Sequence, residues 1–267
     1  MTKTFGIVGF GQIGMDIARA VEEGRLKVPL AGVTSRSEAP ARERLARLKN
    51  PPPYCTLDEL IERADLLVEA AGQQVVPELA RRVFAAGKDL LVISVGALLN
   101  HPELMEQARA KNCRLILPSG AIAAVDGIKS ACQGRVDHVT ITTRKPPRGL
   151  QGAPWLREQK IDLSGITEET EVYHGPVREA CRGFPENVNV SATISLAGLG
   201  PDRTMIRILA VPGLERNRHT VEVAGEFGEL TMHISNIPSE NPKTGRLTAM
   251  SMIRAIADAM DTVRIGN

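Results

Sequence analysis

The sequence predicts an α/β protein in two parts: an N-terminal doubly wound parallel sheet, then an α+β region with an open, mainly antiparallel sheet. Three observations predict it. Short apolar runs alternate with amphipathic helical patterns through the first half of the 267 residues. The first such run, residues 4–8, ends in glycines spaced G-x-G-x-x-G and passes at once into a helical pattern. From about Asp126 the rhythm changes to the alternation of half-buried strands.

Each glycine in Ile7-Val8-Gly9-Phe10-Gly11-Gln12-Ile13-Gly14 has a physical task. Gly9 permits the tight turn, Gly11 lets the backbone approach a pyrophosphate, and Gly14 lets helix and strand pack closely. The pyrophosphate would rest on unpaired N–H groups at the helix start, around Gln12 and Ile13, where the helix dipole favours negative charge. Ile13, Ile17, Ala20 and Val21 form the apolar face of that helix. The expected ligand is therefore a dinucleotide, NAD or NADP. A structural turn without ligand is the plainer alternative.

The remaining elements of the first half follow in order. Residues 26–34 read as a second strand, and 38–49 as a helix with Ala41, Leu45 and Leu48 inward, stopped by Pro51-Pro52-Pro53. Tyr54-Cys55 reads as a short third strand. Thr56-Leu57-Asp58-Glu59 is a capping box that starts a helix over 57–64. Strand four covers 65–70, a helix over 76–86 closes at Gly87, and strand five covers 89–94. A helix over 102–111 stops at Asn112, before strand six over 114–117. Six strands alternating with helices make a Rossmann sheet.

The end of strand two bears on the cofactor. An NAD-specific site usually has an acid about 20 residues past the glycines, on the ribose 2′-hydroxyl. Here the stretch is Val33-Thr34-Ser35-Arg36-Ser37, with no acid. Ser35 and Arg36 suit a 2′-phosphate, so NADP should be accepted; Arg36 stacked on adenine would equally allow NAD. Arg36 as a plain solvated cation is the alternative. The nicotinamide should lie outside the carboxyl ends of the strands, among the small-residue loops 69–73 (with Ala71), 94–97 and 118–123.

In the second half, Val136, His138, Thr140 and Thr142 alternate with Asp137, Val139, Ile141 and Thr143 as a strand. Residues 144–154 read as a long loop carrying Arg144, Lys145 and Arg148, either solvated or facing an anion. Residues 187–197 fit a strand or a small-residue helix, with Asn189 a possible polar anchor. Strands over 203–210, 220–224 and 229–234 join through turns at Pro212-Gly213 and 225–228. A Pro- and Asn-rich loop over 236–245 precedes a closing helix with Leu247, Met250, Ile253, Ala257 and Met260 inward. His219 shares strand parity with Val221 and Val223. It is either a satisfied core histidine or the proton-handling group a dehydrogenase needs. His138 ranks below it.

Bulk properties exclude several classes. Net charge is +2 without a long single-sign run, which argues against a nucleic-acid footprint. One Trp, two Tyr and five Phe are too few for a base-stacking platform. Apolar runs fall short of the ~18 residues of a membrane helix, and no signal peptide is read. Cys55, Cys113, Cys132 and Cys181 are dispersed, as expected of reduced thiols in the cytoplasm. The five histidines form no metal-binding spacing, so no metal is expected.

Along essentially its full length the chain resembles the L-aspartate dehydrogenase family. The matching stretches are Gly9-Phe10-Gly11-Gln12-Ile13-Gly14, Ser94-Val95-Gly96-Ala97, Ser119-Gly120-Ala121-Ile122-Ala123, Thr142-Thr143-Arg144-Lys145-Pro146-Pro147, Asn187-Val188-Asn189-Val190, Asn217-Arg218-His219 and Asn241-Pro242-Lys243-Thr244. The first is common to many Rossmann enzymes; the later ones, in this order, are far more specific. The resemblance implies oxidation of L-aspartate to iminoaspartate by NAD(P). Release to oxaloacetate and ammonia, or hand-over to quinolinate synthesis, would follow. It also implies a homodimer whose second domain supplies the sheet and the substrate pocket. His219 falls on the family's active-site histidine, and the backbone around Ala123 and the side chain of Asn189 on its nicotinamide contacts. Family members often carry Gly where this chain has Ala124, and Asp where it has Val211.

The substrate's two carboxylates need neutralising. Asn241, Lys243 and Thr244 are the first candidates, Arg144 and Lys145 the second. A loop that merely caps the last helix is an equal reading of 241–244. Expected boundaries are 1–124 for the dinucleotide-binding domain and 125–240 for substrate binding and dimerisation. Residues 241–267 would form a loop and helix packing back on the first domain. A related dehydrogenase acting on another small substrate, and a non-catalytic NAD(P) sensor, are the rival readings.

Overall fold

The glycine turn forms for steric reasons that are visible atom by atom. β1 (Phe5–Val8) is wholly buried, and α1 (Gln12–Glu22) starts just past the turn. Gly9 has φ +97°, and a Cβ there would lie 2.5 Å from the backbone of Ala70. A Cβ on Gly14 would lie 2.6 Å from the Gly9 carbonyl oxygen. Both positions need glycine for the chain's own packing. α1 then lays Met15, Ile17, Ala18 and Ala20 into a core with Phe5, Ile7, Phe10, Leu66, Val68 and Leu91. Burying each of the large side chains contributes ~1.5–3 kcal/mol.

The computed structural model describes residues 3–185, 188–237, 245–263 and 265–266. The chain divides into two compact units, Met1–Pro118 with Ala249–Arg264, and Ser119–Thr248 with Ile265–Asn267.

In the first unit β2 (Leu30–Thr34) is shorter than the expected 26–34. Pro29 has no N–H to donate, and it enters only through its carbonyl, which accepts from Phe5 N at 3.1 Å. α2 (Glu38–Leu45) ends before the expected Lys49, though Ala41, Leu45 and Leu48 are all buried. The expected strand at Tyr54-Cys55 is reduced to a single parallel bridge, Val33 to Tyr54. The preceding three prolines cannot donate to a ladder. α3 (Leu57–Arg63) starts at the Thr56–Glu59 capping box. β3 (Leu66–Glu69), α4 (Val76–Ala85) and β4 (Asp89–Val92) follow, with Gly87 at φ +68° closing α4. The loop expected over 94–97 instead starts a short helix, α5 (Gly96–Asn100). α6 (Glu103–Ala110) stops at Asn112, φ +52°, before β5 (Leu115–Ile116).

The sheet order is β2-β1-β3-β4-β5, all parallel, so five strands form where six were expected. With the Tyr54 bridge outside β2, the order is that of a Rossmann sheet whose third strand has shrunk to one residue. The topology reverses between β1 and β3. Val8 pairs there with both Thr34 and Glu69, and Glu69 with Val92, so the carboxyl ends lie level.

The second unit contains α7 (Val125–Ala131), β6 (Val136–Lys145), α8 (Pro154–Glu158), β7 (Thr170–Pro176) and α9 (Val177–Gly183). Then come α10 (Asn189–Ala197), β8 (Thr204–Ala210), β9 (Asn217–Gly225) and β10 (Gly228–Asn236); α11 (Arg246–Met260) follows and from Ala249 onward belongs to the first unit. The strand order is β10-β9-β6-β8-β7, antiparallel except for the β6–β8 pair. The unsettled stretch 187–197 is helical from Asn189, and Ser191 and Ser195 bond back to the carbonyls of Val188 and Ala192, 2.9 Å each. A bulge between Val136 and His138 resets the parity of β6. Val136 therefore turns inward with Val139, Ile141, Thr143 and Lys145, not outward with His138. β7, α7, α8 and α9 had no expected counterpart. α11 buries Ala249, Met252, Ile256 and Ala259, while Met250, expected inward, is 58% exposed. Among the described residues no helix is long and apolar enough to cross a membrane.

Candidate active site

Gly11 differs from its two neighbours. Its φ is −86°, and a Cβ built on it meets nothing within 4 Å. Among the described residues nothing in the packing demands glycine there; its lack of a side chain leaves the space at the N-terminus of α1 open. That terminus has no side-chain cap and no acid in its first turn. The Gln12 side chain is occupied with Asp16 at 2.9 Å, so the first amides of α1, those of Gln12 and Ile13, face a cradle suited to an anion. These residues fit the pyrophosphate of a dinucleotide.

The neighbouring strand ends complete the cradle. Gly9 N donates to Thr34 O at 2.8 Å, which holds the turn against the end of β2, beside Ser35 and exposed Arg36. Ala71 also closes on the turn, its nitrogen 2.6 Å from a Cβ on Gly9. Gly9, Gly11, Gln12, Ile13, Gly14, Ser35, Arg36 and Ala71 thus gather at the carboxyl ends of β1, β2 and β3. Two residues not foreseen join them. Tyr54 OH donates to Ser35 O at 2.7 Å, and the Arg42 guanidinium lies 5.0 Å over the Tyr54 ring. The signal for Tyr54 was its place after the proline run, which read as a strand instead.

In the second unit β6 and β9 pair Thr143 directly with His219. Thr143 Oγ1 lies 3.1 Å from His219 Nδ1, and both residues are buried. Lys145, two positions on along the same face of β6, is also buried, 5% exposed. Burial first, and the Lys145 charge second, pull the His219 pKa down to about 3. The ring is therefore neutral at pH 7, with Nδ1 engaged by Thr143 and Nε2 left for chemistry. Adjacent Arg144 is on the other face and pairs with Glu169 at 3.1 Å. Of the two second-rank cations, only Lys145 stands beside the histidine. His138 is exposed.

Asn189 is the first residue of α10, and its carbonyl accepts from Thr193 Oγ1 at 3.0 Å. Ala123 is exposed and precedes Ala124, which caps α7 at φ +69°. The loop before it is tied to the end of β10 by Asn236 Nδ2, which donates to Ala121 O at 2.8 Å. Asn241, Lys243 and Thr244, and Asn187, lie outside the described residues.

The cradle makes the first unit an NAD(P)-binding domain, and the family model for the NAD binding domain of homoserine dehydrogenase matches residues 9–118. With an α+β unit that carries a buried histidine, this is the architecture of a nicotinamide-dependent oxidoreductase. The second unit narrows the class, since the family model for the aspartate dehydrogenase C-terminal region matches residues 126–259. L-aspartate dehydrogenases from Methanosarcina barkeri and Methanosarcina mazei are 43% and 44% identical, each alignment covering 98% of both chains. L-aspartate dehydrogenase 3 of Bordetella bronchiseptica is 41% identical over 97% of this chain and 96% of its own. The chain belongs to the L-aspartate dehydrogenase family. Its fold is shared with the crystal structure of aspartate dehydrogenase from Thermotoga maritima, at TM-score 0.76, 23% identity and full coverage of both chains. A homoserine dehydrogenase from Thiobacillus denitrificans shares it at TM-score 0.64 and 12% identity, over 97% of this chain and 73% of that one.

Proposed function

We propose that the protein oxidises L-aspartate to iminoaspartate with NAD or NADP, the imine then hydrolysing to oxaloacetate and ammonia or passing to quinolinate synthesis. The observation that carries this reading is the buried Thr143–His219–Lys145 cluster, in a chain whose full-length relatives are L-aspartate dehydrogenases. Aspartate brings an ammonium and two carboxylates. Lys145 supplies one cation for a carboxylate, and Asn241, Lys243 and Thr244 supply the remaining polar groups. As the carboxylate offsets the Lys145 charge, His219 gains proton affinity at the moment substrate arrives. Nε2 takes the proton of the substrate ammonium, and Thr143 holds the ring in place through Nδ1. NAD or NADP, when bound, would supply the acceptor for the Cα hydride, so that the substrate loses a proton and a hydride and gains a C=N bond. His219 then hands its proton to water and, neutral again, activates the water that hydrolyses the imine.

On the cofactor side, Gly9, Gly11, Gln12, Ile13 and Gly14 hold the pyrophosphate. Ser35 and Arg36 receive a 2′-phosphate, so NADP is accepted. Ala71, the backbone at Ala123 and Asn189 address the nicotinamide half. The family resemblance further supports a cytoplasmic homodimer. The test is NAD(P)H formation from L-aspartate with NAD and NADP in parallel, and D-aspartate and L-glutamate as controls. Turnover restricted to L-aspartate is expected. Tight NAD(P)H binding without turnover on L-aspartate would overturn the reading.

A further inference from the structure

The central strand of the first unit ends in an acid. β3 runs Leu66-Leu67-Val68-Glu69, every residue fully buried, and its last position sits at the topological switch between β1 and β3. A carboxylate withdrawn from water is costly by several kcal/mol unless its lone pairs are filled. Here they are. Oε1 accepts from Ala71 N at 2.7 Å, Gly72 N at 2.8 Å and Ser94 Oγ at 2.9 Å, and Oε2 accepts from Ser94 N at 3.0 Å. Three amides and one hydroxyl thus converge on this one side chain.

The consequence lies in the loops. The peptide unit is planar and trans, so an N–H aimed at Glu69 turns the carbonyl of the preceding residue the opposite way. The amides of Gly72 and Ser94 thereby fix the carbonyls of Ala71 and Ile93 facing away from the carboxylate. Both loops follow carboxyl strand ends, where a dinucleotide lies in such a sheet. One of them, 70–72, also packs on Gly9 of the phosphate turn.

We propose that Glu69 is a positioning residue for the nicotinamide half of the cofactor: it locks the loops after β3 and β4 so that their carbonyls accept from the nicotinamide-side ribose hydroxyls and carboxamide. The adenosine half and pyrophosphate, held by the glycine turn and the end of β2, do not depend on it, because Ala70, which packs on that turn, is anchored by its own N–H bond to Val8 O at 2.8 Å. The proposal rests on the NAD(P) site and not on the identity of the substrate.

The test is a comparison of two ligands on the full chain. Glu69→Gln keeps the shape and the Oε1 acceptor but sets an amide NH2 against the Ser94 N–H. Calorimetric titration with NADH or NADPH should show a Kd raised about tenfold, the loss of one to two hydrogen bonds to a charged group. The Kd for ADP, which carries the adenosine and both phosphates but no nicotinamide half, should stay within about twofold. Ser94→Ala deletes a single donor and should show the same split at about threefold, whether or not the Gln variant folds. Equal weakening of both ligands, or of neither, in the folded variants would overturn the proposal. A preserved split in a protein inactive on L-aspartate would leave Glu69 in place and remove the substrate reading alone.

Discussion

Two histidine–threonine pairs cross the sheet of the second unit. His219 Nδ1 lies 3.1 Å from Thr143 Oγ1, and His233 Nδ1 lies 3.0 Å from Thr220 Oγ1. Both are cross-strand neighbours in register, on β9 with β6 and on β10 with β9. His219 and Thr220 are consecutive, so the pleat sends the two pairs to opposite faces. One face is packed beneath α7 and α10, where Ile128 and Val139 both approach Gly198; the other meets water. The hydrogen bond is the same. What differs is burial and the Lys145 charge, and those two pull the His219 pKa down.

The largest effect should separate the pairs outright. His219→Ala should cut turnover on L-aspartate roughly 10²–10⁴-fold, the scale of a lost acid–base group, with NAD(P)H affinity retained. His233→Ala should leave turnover within about twofold, being on the solvent face. Steady-state kinetics and cofactor titration on the two variants decide it. Equal losses would mean that the buried face holds no special chemistry.

Stability against pH probes the same ring without substrate. His219 titrates at about 3 when folded and near its ordinary 6.5 when unfolded. Between those values the unfolded chain binds a proton that the folded chain refuses. Stability therefore falls as pH drops through that window, at up to about 1.4 kcal/mol per pH unit, and the effect vanishes above it. Urea unfolding from pH 7 to 4 should be steeper in pH for the wild type than for His219→Gln. Parallel curves would show that the imidazole charges freely where it sits.

Lys145→Met keeps the length of the side chain and removes its charge. The kcat/KM for L-aspartate should fall roughly 10–10²-fold, through the loss of a charged carboxylate partner. The low-pH window of His219 should narrow at the same time, since the lysine is the second cause of its shift. Arg144→Met is the internal control, because Arg144 faces the other side and is already engaged with Glu169. If the arginine variant loses more, the assignment of the carboxylate partner moves to it.

What the sequence made legible follows from range. Gly9 and Gly14 could be foreseen because the atoms that exclude a Cβ belong to the same short strand–turn–helix or its sheet neighbour. The Thr56–Glu59 cap was equally local. Tyr54 was read as the start of a third strand and does bridge to Val33, but after three prolines the pairing stops at that one residue. The inward turn of Val136 depends on a bulge that the alternating pattern hides. For the site, strand parity pointed His219 inward, but its partner Thr143 is 76 residues away, and Lys145 read as part of a loop. Glu69 was visible only as an acid ending an apolar run; its four donors come from two loops that the strand order brings together.

The smallest expected effect tests the backbone beneath the buried face. Ala124 caps α7 at φ +69°, a conformation costing roughly 1–2 kcal/mol for a residue with a Cβ. It is also the position where the family resemblance leads one to expect glycine. Asn112 shares the conformation at φ +52°, but as an Asn it is far better suited to it. Glycine at 124 would relieve the strain and give back part of the gain as unfolded-chain entropy, so Ala124→Gly should stabilise by about 0.5–1 kcal/mol. The measure is the urea midpoint at unchanged m value. A lowered midpoint would mean that contacts of the Ala124 methyl outweigh its strain, and that the turn before α7 is held by packing as the face above it is.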